Sequence, residues 1–212
     1  MIVAIANQKG GTGKTTVAAN LALATAAVKR PTALIDADEQ GTTATFYSGS
    51  EYLNIYRAGE DVRTMARNLD EEFIFIDSPP SVSTIPKLAM AVADLVVIPT
   101  QPSPFDIAAS SGTVEIYQAM VESLGWAPLC YFLLNRVKPG TTFGKESAEY
   151  IHKTYELPVL ETRLHDYELY KQAPLAGKSV MEFSKKHKAA REMANLVKEM
   201  NRIYRRARRL GV

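Results

Sequence analysis

Gln8-Lys9-Gly10-Gly11-Thr12-Gly13-Lys14-Thr15-Thr16 is the stretch on which the reading of this chain turns. It lies between an apolar, β-rich run, Ile2-Val3-Ala4-Ile5-Ala6, and a segment, 14–28, whose composition predicts a helix. Its glycines let the backbone turn tightly, so successive N–H groups can converge on an anion. The helix that follows adds its positive N-terminal end. Lys14 can reach the β- and γ-phosphates of a nucleotide, and the Thr15 hydroxyl can coordinate Mg²⁺. A glycine-rich turn without a ligand has no need of the Gly-Lys-Thr-Thr ending. Nucleotide binding by Gly10, Gly11, Thr12, Gly13, Lys14, Thr15 and Thr16 is therefore expected.

Outward from this loop, four more apolar runs recur: TALID (32–36), FIFID (73–77), LVVIPT (95–100) and LCYFLLN (129–135). Each is almost continuously apolar, as in strands covered on both faces. Segments 60–69, 83–93, 105–124 and 143–155 between them read as helices. This alternation predicts an α/β fold, a doubly wound, mostly parallel sheet with helices on both faces. LNIY, inside the less clear stretch 41–58, reads as a short edge strand. A last helix over 189–209 carries Met193, Leu196, Val197, Met200, Ile203 and Tyr204 at 3–4 spacing on one face. With no repeat or linker in sight, residues 1–212 are expected to form one domain, built on this phosphate-binding loop and ending in a basic-tailed helix.

Composition closes off several classes. An apolar share of 46% over 212 residues excludes a disordered chain. The lone Cys130 can form neither an intramolecular disulfide nor a cysteine zinc site, which points to a reducing cytoplasm. Set in PLCYFLLN, it reads as an inert buried thiol. No signal peptide precedes Ile2, and the longest apolar stretch, 17–28, is too short and interrupted to span a bilayer. His152, His165 and His187 show no ligand or triad spacing and read as surface residues.

Gly10-Gly11-Thr12-Gly13-Lys14-Thr15 preceded by Lys9 departs from the general Walker A pattern and resembles the deviant Walker A motif of the ParA/MinD ATPases. The resemblance extends through Asp36-Ala37-Asp38-Glu39-Gln40 and Phe75-Ile76-Asp77-Ser78-Pro79-Pro80. It continues in Pro99-Thr100-Gln101-Pro102-Ser103-Pro104-Phe105-Asp106, a segment similar to short plasmid-partition ParA proteins. It covers most of residues 1–136 and weakens beyond; Glu39 stands where the family usually has Pro. The resemblance implies ATP and Mg²⁺ as ligands and an ATP-dependent sandwich dimer, in which Lys9 reaches the partner's phosphates. It further implies Asp38 orienting the attacking water, Asp36 supporting the Mg²⁺ shell, Asp77 as the Walker B carboxylate, and Asn135-Arg136 at the adenine. No catalytic Gln or arginine finger is evident, so slow turnover stimulated by a ParB-like or other centromere-binding partner is expected. For Asp36 a simple turn cap, and for Asn135-Arg136 an ordinary strand-end turn, remain open.

Charge divides the chain. Residues 1–150 hold 11 Lys/Arg against 16 Asp/Glu, whereas residues 151–212 hold 14 against 7. A basic C-terminal third suits a polyanion or an anionic membrane. Two sets stand out: Lys185, Lys186, Lys188 and Arg191, then Arg202, Arg205, Arg206, Arg208 and Arg209. Both are expected on one surface of a dimer, contacting DNA phosphates without base readout. That favours a DNA-segregation ATPase on the nucleoid, of the short class that starts at its first strand; positioning of a protein cargo uses the same machine. A MinD-like membrane ATPase is disfavoured because Arg205-Arg206-Ala207-Arg208-Arg209 offers no Phe or Trp to insert. A nitrogenase-type reductase would need cluster cysteines, and a synthetase would need a substrate domain.

Overall fold

A computed structural model describes residues 1–38, 43, 52–81 and 83–211. Glu39 and Gln40 lie outside the described residues. Six strands are found among those described: β1 (Ile2–Ile5), β2 (Thr32–Asp36), β3 (Leu53–Arg57), β4 (Phe73–Asp77), β5 (Leu95–Thr100) and β6 (Leu129–Leu134). They form one sheet in the order β3-β2-β4-β1-β5-β6, every pair parallel. All five apolar runs became strands, and LNIY is the edge strand β3.

The helices are α1 (Lys14–Ala26), α2 (Val62–Asn68), α3 (Thr84–Val92), α4 (Pro104–Ala108), α5 (Ser111–Leu124), α6 (Phe143–Tyr155), α7 (Leu169–Leu175), α8 (Val180–Phe183) and α9 (Lys188–Leu210). Side chains alternate along each strand, so the sheet feeds two cores. Val3, Ile5, Leu34, Phe75 and Val97 pack with α1 and α9, including Met193, Leu196 and Met200. Ala4, Ile35, Ile76, Ile98 and Phe132 pack with α2, α3, α5 and α6 on the other face.

Two features were not visible in the pattern. The helix expected over 105–124 breaks at Ala109-Ser110. Ser110 is buried, and its Oγ donates toward Asp106 O (3.2 Å) and accepts from Asn7 Nδ2 (3.0 Å). The apolar period runs straight through this break. The short helices α7 and α8 follow; neither is long enough to show a period, and α8 opens with a Ser179–Glu182 capping box.

The β6 edge does not face solvent bare. The extended segment 158–164 lies along it, with Phe132 N donating to Pro158 O (2.9 Å) and Leu160 N to Phe132 O (2.8 Å). Helix α9 clamps that segment through two carboxylates seven residues apart, on one face. Glu199 accepts from Glu161 N (2.6 Å) and Thr162 N (2.9 Å). Glu192 accepts from His165 N (3.0 Å) and pairs with His165 Nδ1 (2.8 Å). His187 caps α9, its Nδ1 accepting from Ala189 N at 3.1 Å. Of the three histidines expected at the surface, only His152 is fully exposed; His165 and His187 are half-buried and engaged.

Glu199→Ala should strand two backbone donors and lower stability by about 1–3 kcal/mol, read as a lower urea midpoint with an unchanged slope. A midpoint equal to that of the wild type would show that 158–164 holds its place without the clamp.

Candidate nucleotide site

Because β1 lies in the middle of the sheet, the loop that leaves it emerges between the ends of β4 and β5. In a parallel sheet all these ends lie on one edge, where ligands of open α/β sheets bind. Gly11 and Gly13 take positive φ values of 76° and 91°. A Cβ on Gly13 would also sit 2.3 Å from Asn135 Nδ2, so glycine is required there twice over.

The loop is held from beneath by a buried polar network that joins it to β5 and α5. Asn7 Nδ2 donates to Pro99 O (2.9 Å) and Ser110 Oγ (3.0 Å). Asn7 Oδ1 accepts from Lys9 N (3.0 Å) and Thr113 Oγ1 (3.3 Å), and Gln8 N donates to Thr113 Oγ1 (2.9 Å). From the β6 side, Asn135 Nδ2 donates to Thr12 O (2.7 Å) while its Oδ1 accepts from Arg136 N (2.9 Å). Asn135 is thus a brace of the phosphate loop, and Arg136 turns the chain with φ 55°.

Both loop lysines rest on internal partners. Lys14 is buried, and its Nζ donates to Lys9 O at 3.3 Å. Burial holds its pKa below the usual lysine range, with the charges of Asp77 and Asp38 pulling it back up. The Lys9 ammonium forms an ion pair with Asp106 of α4 and keeps a third of its side chain exposed. It therefore stands at the rim of the cradle rather than inside it. Asp106 belongs to the segment singled out by resemblance, but its pairing with Lys9 is a through-space relation across 97 residues.

The carboxylates divide their work. Asp36 Oδ1 accepts from Asp38 N (3.2 Å) and Oδ2 from Thr43 N (3.0 Å). Asp77 Oδ2 accepts from Thr43 Oγ1 (3.3 Å), whereas its buried Oδ1 has no hydrogen-bond partner among the described residues. Burial pushes the Asp77 carboxyl up to about 7; a hydrogen bond from Thr15 opposes this, the nearby Asp36 charge adds to it, and Lys14 and Thr43 oppose it. An orphaned buried carboxylate oxygen next to the Thr15 hydroxyl fits a hard cation that keeps several waters, as Mg²⁺ does. Such an ion would neutralise charge between the phosphates.

The two basic sets lie at and along α9. All nine side chains are exposed. Lys185, Lys186, Lys188 and Arg191 gather where α9 begins, level with His165 and the chain leaving β6. Arg205, Arg208 and Arg209 border Met1, where β1 starts. The 23 residues of α9 separate the ends by about 34 Å. The nearest members of the two sets, Arg191 and Arg202, are 11 residues apart on the same helix, about 16 Å.

Residues 3–180 match the CobQ/CobB/MinD/ParA nucleotide binding domain. The chain belongs to this family. The matched region ends at the start of α8, so α9 and its arginines lie beyond it. A maintenance of carboxysome distribution protein A from Gloeobacter kilaueensis is 30% identical, over 97% of this chain and 96% of its own. The chromosome partitioning protein ParA of Myxococcus xanthus is 33% identical, over 47% of this chain and 52% of its own. Among solved structures, apo McdA from Cyanothece superposes with a TM-score of 0.79 at 20% identity, covering 93% of this chain and 98% of its own. The septum site-determining protein MinD of Pyrococcus horikoshii, complexed with Mg-ADP, gives 0.71 at 20%, covering 95% and 96%.

Asp77 sets a pH dependence. Its folded pKa lies above its unfolded value, so its contribution to stability is present below about pH 4 and is lost as pH rises through about 7. Asp77→Asn should raise the melting temperature of the nucleotide-free protein at pH 8, by about 1–3 kcal/mol in stability. The gain should shrink toward pH 5, and Mg²⁺-dependent ATP turnover should be lost. A gain that does not change with pH would show that Asp77 is ionised throughout.

Proposed function

We propose that this chain is a single-domain, ParA-type ATPase whose ATP-bound sandwich dimer associates with DNA without sequence preference and positions a cargo over the nucleoid. The observation that carries this reading is Lys9, a cation held by Asp106 at the rim of an otherwise complete phosphate cradle. Lys14, the N–H groups of Gly10–Thr16, Thr15 and Asp77 suffice for one nucleotide with its Mg²⁺. A further cation at the rim is positioned for phosphates that its own loop does not hold, those of a facing copy. Asp38, on the loop beyond β2, is the group proposed to orient water. Asn135 would have to release Thr12 O to reach an adenine.

The whole-length likeness to carboxysome-distribution proteins favours a protein assembly as cargo. Segregation of a plasmid or chromosome, with a ParB-like activator, is the second reading, favoured by the match to ParA proteins over half the chain. Both use the same cycle of ATP-driven dimerisation, DNA binding and partner-stimulated hydrolysis. The membrane reading loses support because Met193, Leu196 and Met200 of α9 are buried against the sheet and cannot insert. Among the described residues no helix is long and apolar enough to cross a membrane.

Light scattering tests the dimer. ATP with Mg²⁺ should double the mass and ADP should not. Lys14→Ala should not bind ATP, Lys9→Ala should bind it but stay monomeric, and Asp38→Ala should remain dimeric because hydrolysis stalls. Asp106→Asn should lower the ATP concentration needed for dimerisation, since Lys9 no longer has to leave an anion. A mass that never responds to ATP would remove the sandwich dimer.

A further inference from the structure

Helix α9 buries Met193, Leu196 and Met200 against the sheet, but the apolar side chains of its last turns are only partly covered. Ile203 and Ala207 are half-buried, and Leu210 is 68% exposed. Steps of four and three residues put these three on one side of the helix, along about 10 Å. Opposite them stand Leu129 and Tyr131 at the start of β6 and Val159 of the segment along its edge, all half-buried. A groove of about 530 Å³ runs between these two apolar walls. Its charged side chains are Glu161, Glu199, Arg202 and Arg206. Three of the four are already engaged: Glu199 holds Glu161 N and Thr162 N, and Glu161 pairs with Arg202 at 3.1 Å. Arg206 has no ion pair among the described residues, and Arg209 is exposed one turn further on. The charge left to offer at the rim is therefore positive.

We propose that this groove docks an acidic amphipathic helix of a partner protein, with its apolar side chains between α9 and β6 and a carboxylate against Arg206. The length of the apolar wall matches two turns of a helix that presents apolar residues at i, i+3 or i+4, and i+7. Other occupants fit less well. A nucleic-acid backbone would satisfy Arg206 but leave the apolar floor uncovered. A bilayer takes up apolar groups that protrude, whereas five of these six line a recess and Leu210 alone stands out. A second copy of the chain would bring its own Arg206 and Arg209 against the same arginines, a like-charge contact. The groove lies where the strands begin, and the phosphate loop lies where they end. A partner docked here leaves the cradle and Lys9 free, so its attachment does not depend on ATP. The inference stands apart from the proposed ATP cycle and adds a tether that persists through it.

The probe is a labelled synthetic helix of about 18 residues, built from Leu and Glu with the Leu residues on one face, and its binding is read by anisotropy. Binding should saturate, with the same affinity in ADP and in ATP. A scrambled peptide of identical composition, and the Lys-for-Glu version, should bind about tenfold or more weakly. Leu210→Asp and Arg206→Glu change exposed positions, so the urea midpoint should hold while each weakens the acidic peptide by about tenfold. Arg206→Lys should keep most of the affinity. Equal binding of the scrambled peptide, or affinity that neither Leu210→Asp nor Arg206→Glu reduces, would overturn the assignment. So would dimerisation without nucleotide that Leu210→Asp abolishes, which would make a second copy the occupant. Co-sedimentation with phosphatidylglycerol vesicles, lost in Leu210→Asp, would overturn it in favour of a lipid surface.

Discussion

The placement of β1 at the centre of an all-parallel sheet is the constraint from which the site follows. Parallel strands align their C-terminal ends, so the loop after β1 is flanked by the ends of β4 and β5, with β6 one strand further out. The glycines make the loop able to turn, but the neighbours make it stay. Asn7 ties it to Pro99 and Ser110, and Asn135 ties Thr12 from the far side. A cradle of N–H groups stabilises an anion only if it is shaped before the anion arrives, and these buried bonds supply that preorganisation.

Charge in the site is stored on internal partners. Lys14 rests on Lys9 O, Lys9 on Asp106, and Asp77 is lifted toward neutrality by burial. Each arrangement lowers the cost of keeping an ionisable group out of water. Each is also given up readily, because triphosphate and metal offer stronger partners to the same atoms. The unpartnered Asp77 Oδ1 and the rim position of Lys9 then have a common meaning. In the proposed function one serves a metal beside the bound nucleotide and the other the phosphates of a second copy.

Much of this was legible in the sequence. Five apolar runs bounded by turn residues became five strands, because a strand buried on both faces has little choice but to be apolar throughout. The loop was legible because its chemistry needs particular residues at fixed spacing. What stayed hidden depends on contacts between distant segments. Ser110 breaks a helix whose apolar period is unbroken, since its hydroxyl serves the loop below. Asp36 accepts from Asp38 N and Thr43 N, bonds that no sequence spacing announces.

In the proposed function dimerisation is the link between ATP and DNA, and thermodynamic reciprocity makes the link measurable. The affinity for a non-hydrolysable ATP analogue should be measured by calorimetry with and without saturating duplex DNA, in the wild type and in Lys9→Ala. DNA should tighten analogue binding in the wild type, where both ligands favour the dimer, and leave it unchanged in Lys9→Ala. Equal tightening in both proteins would mean that the two sites communicate within one protomer, and a dimer-borne coupling would be contradicted.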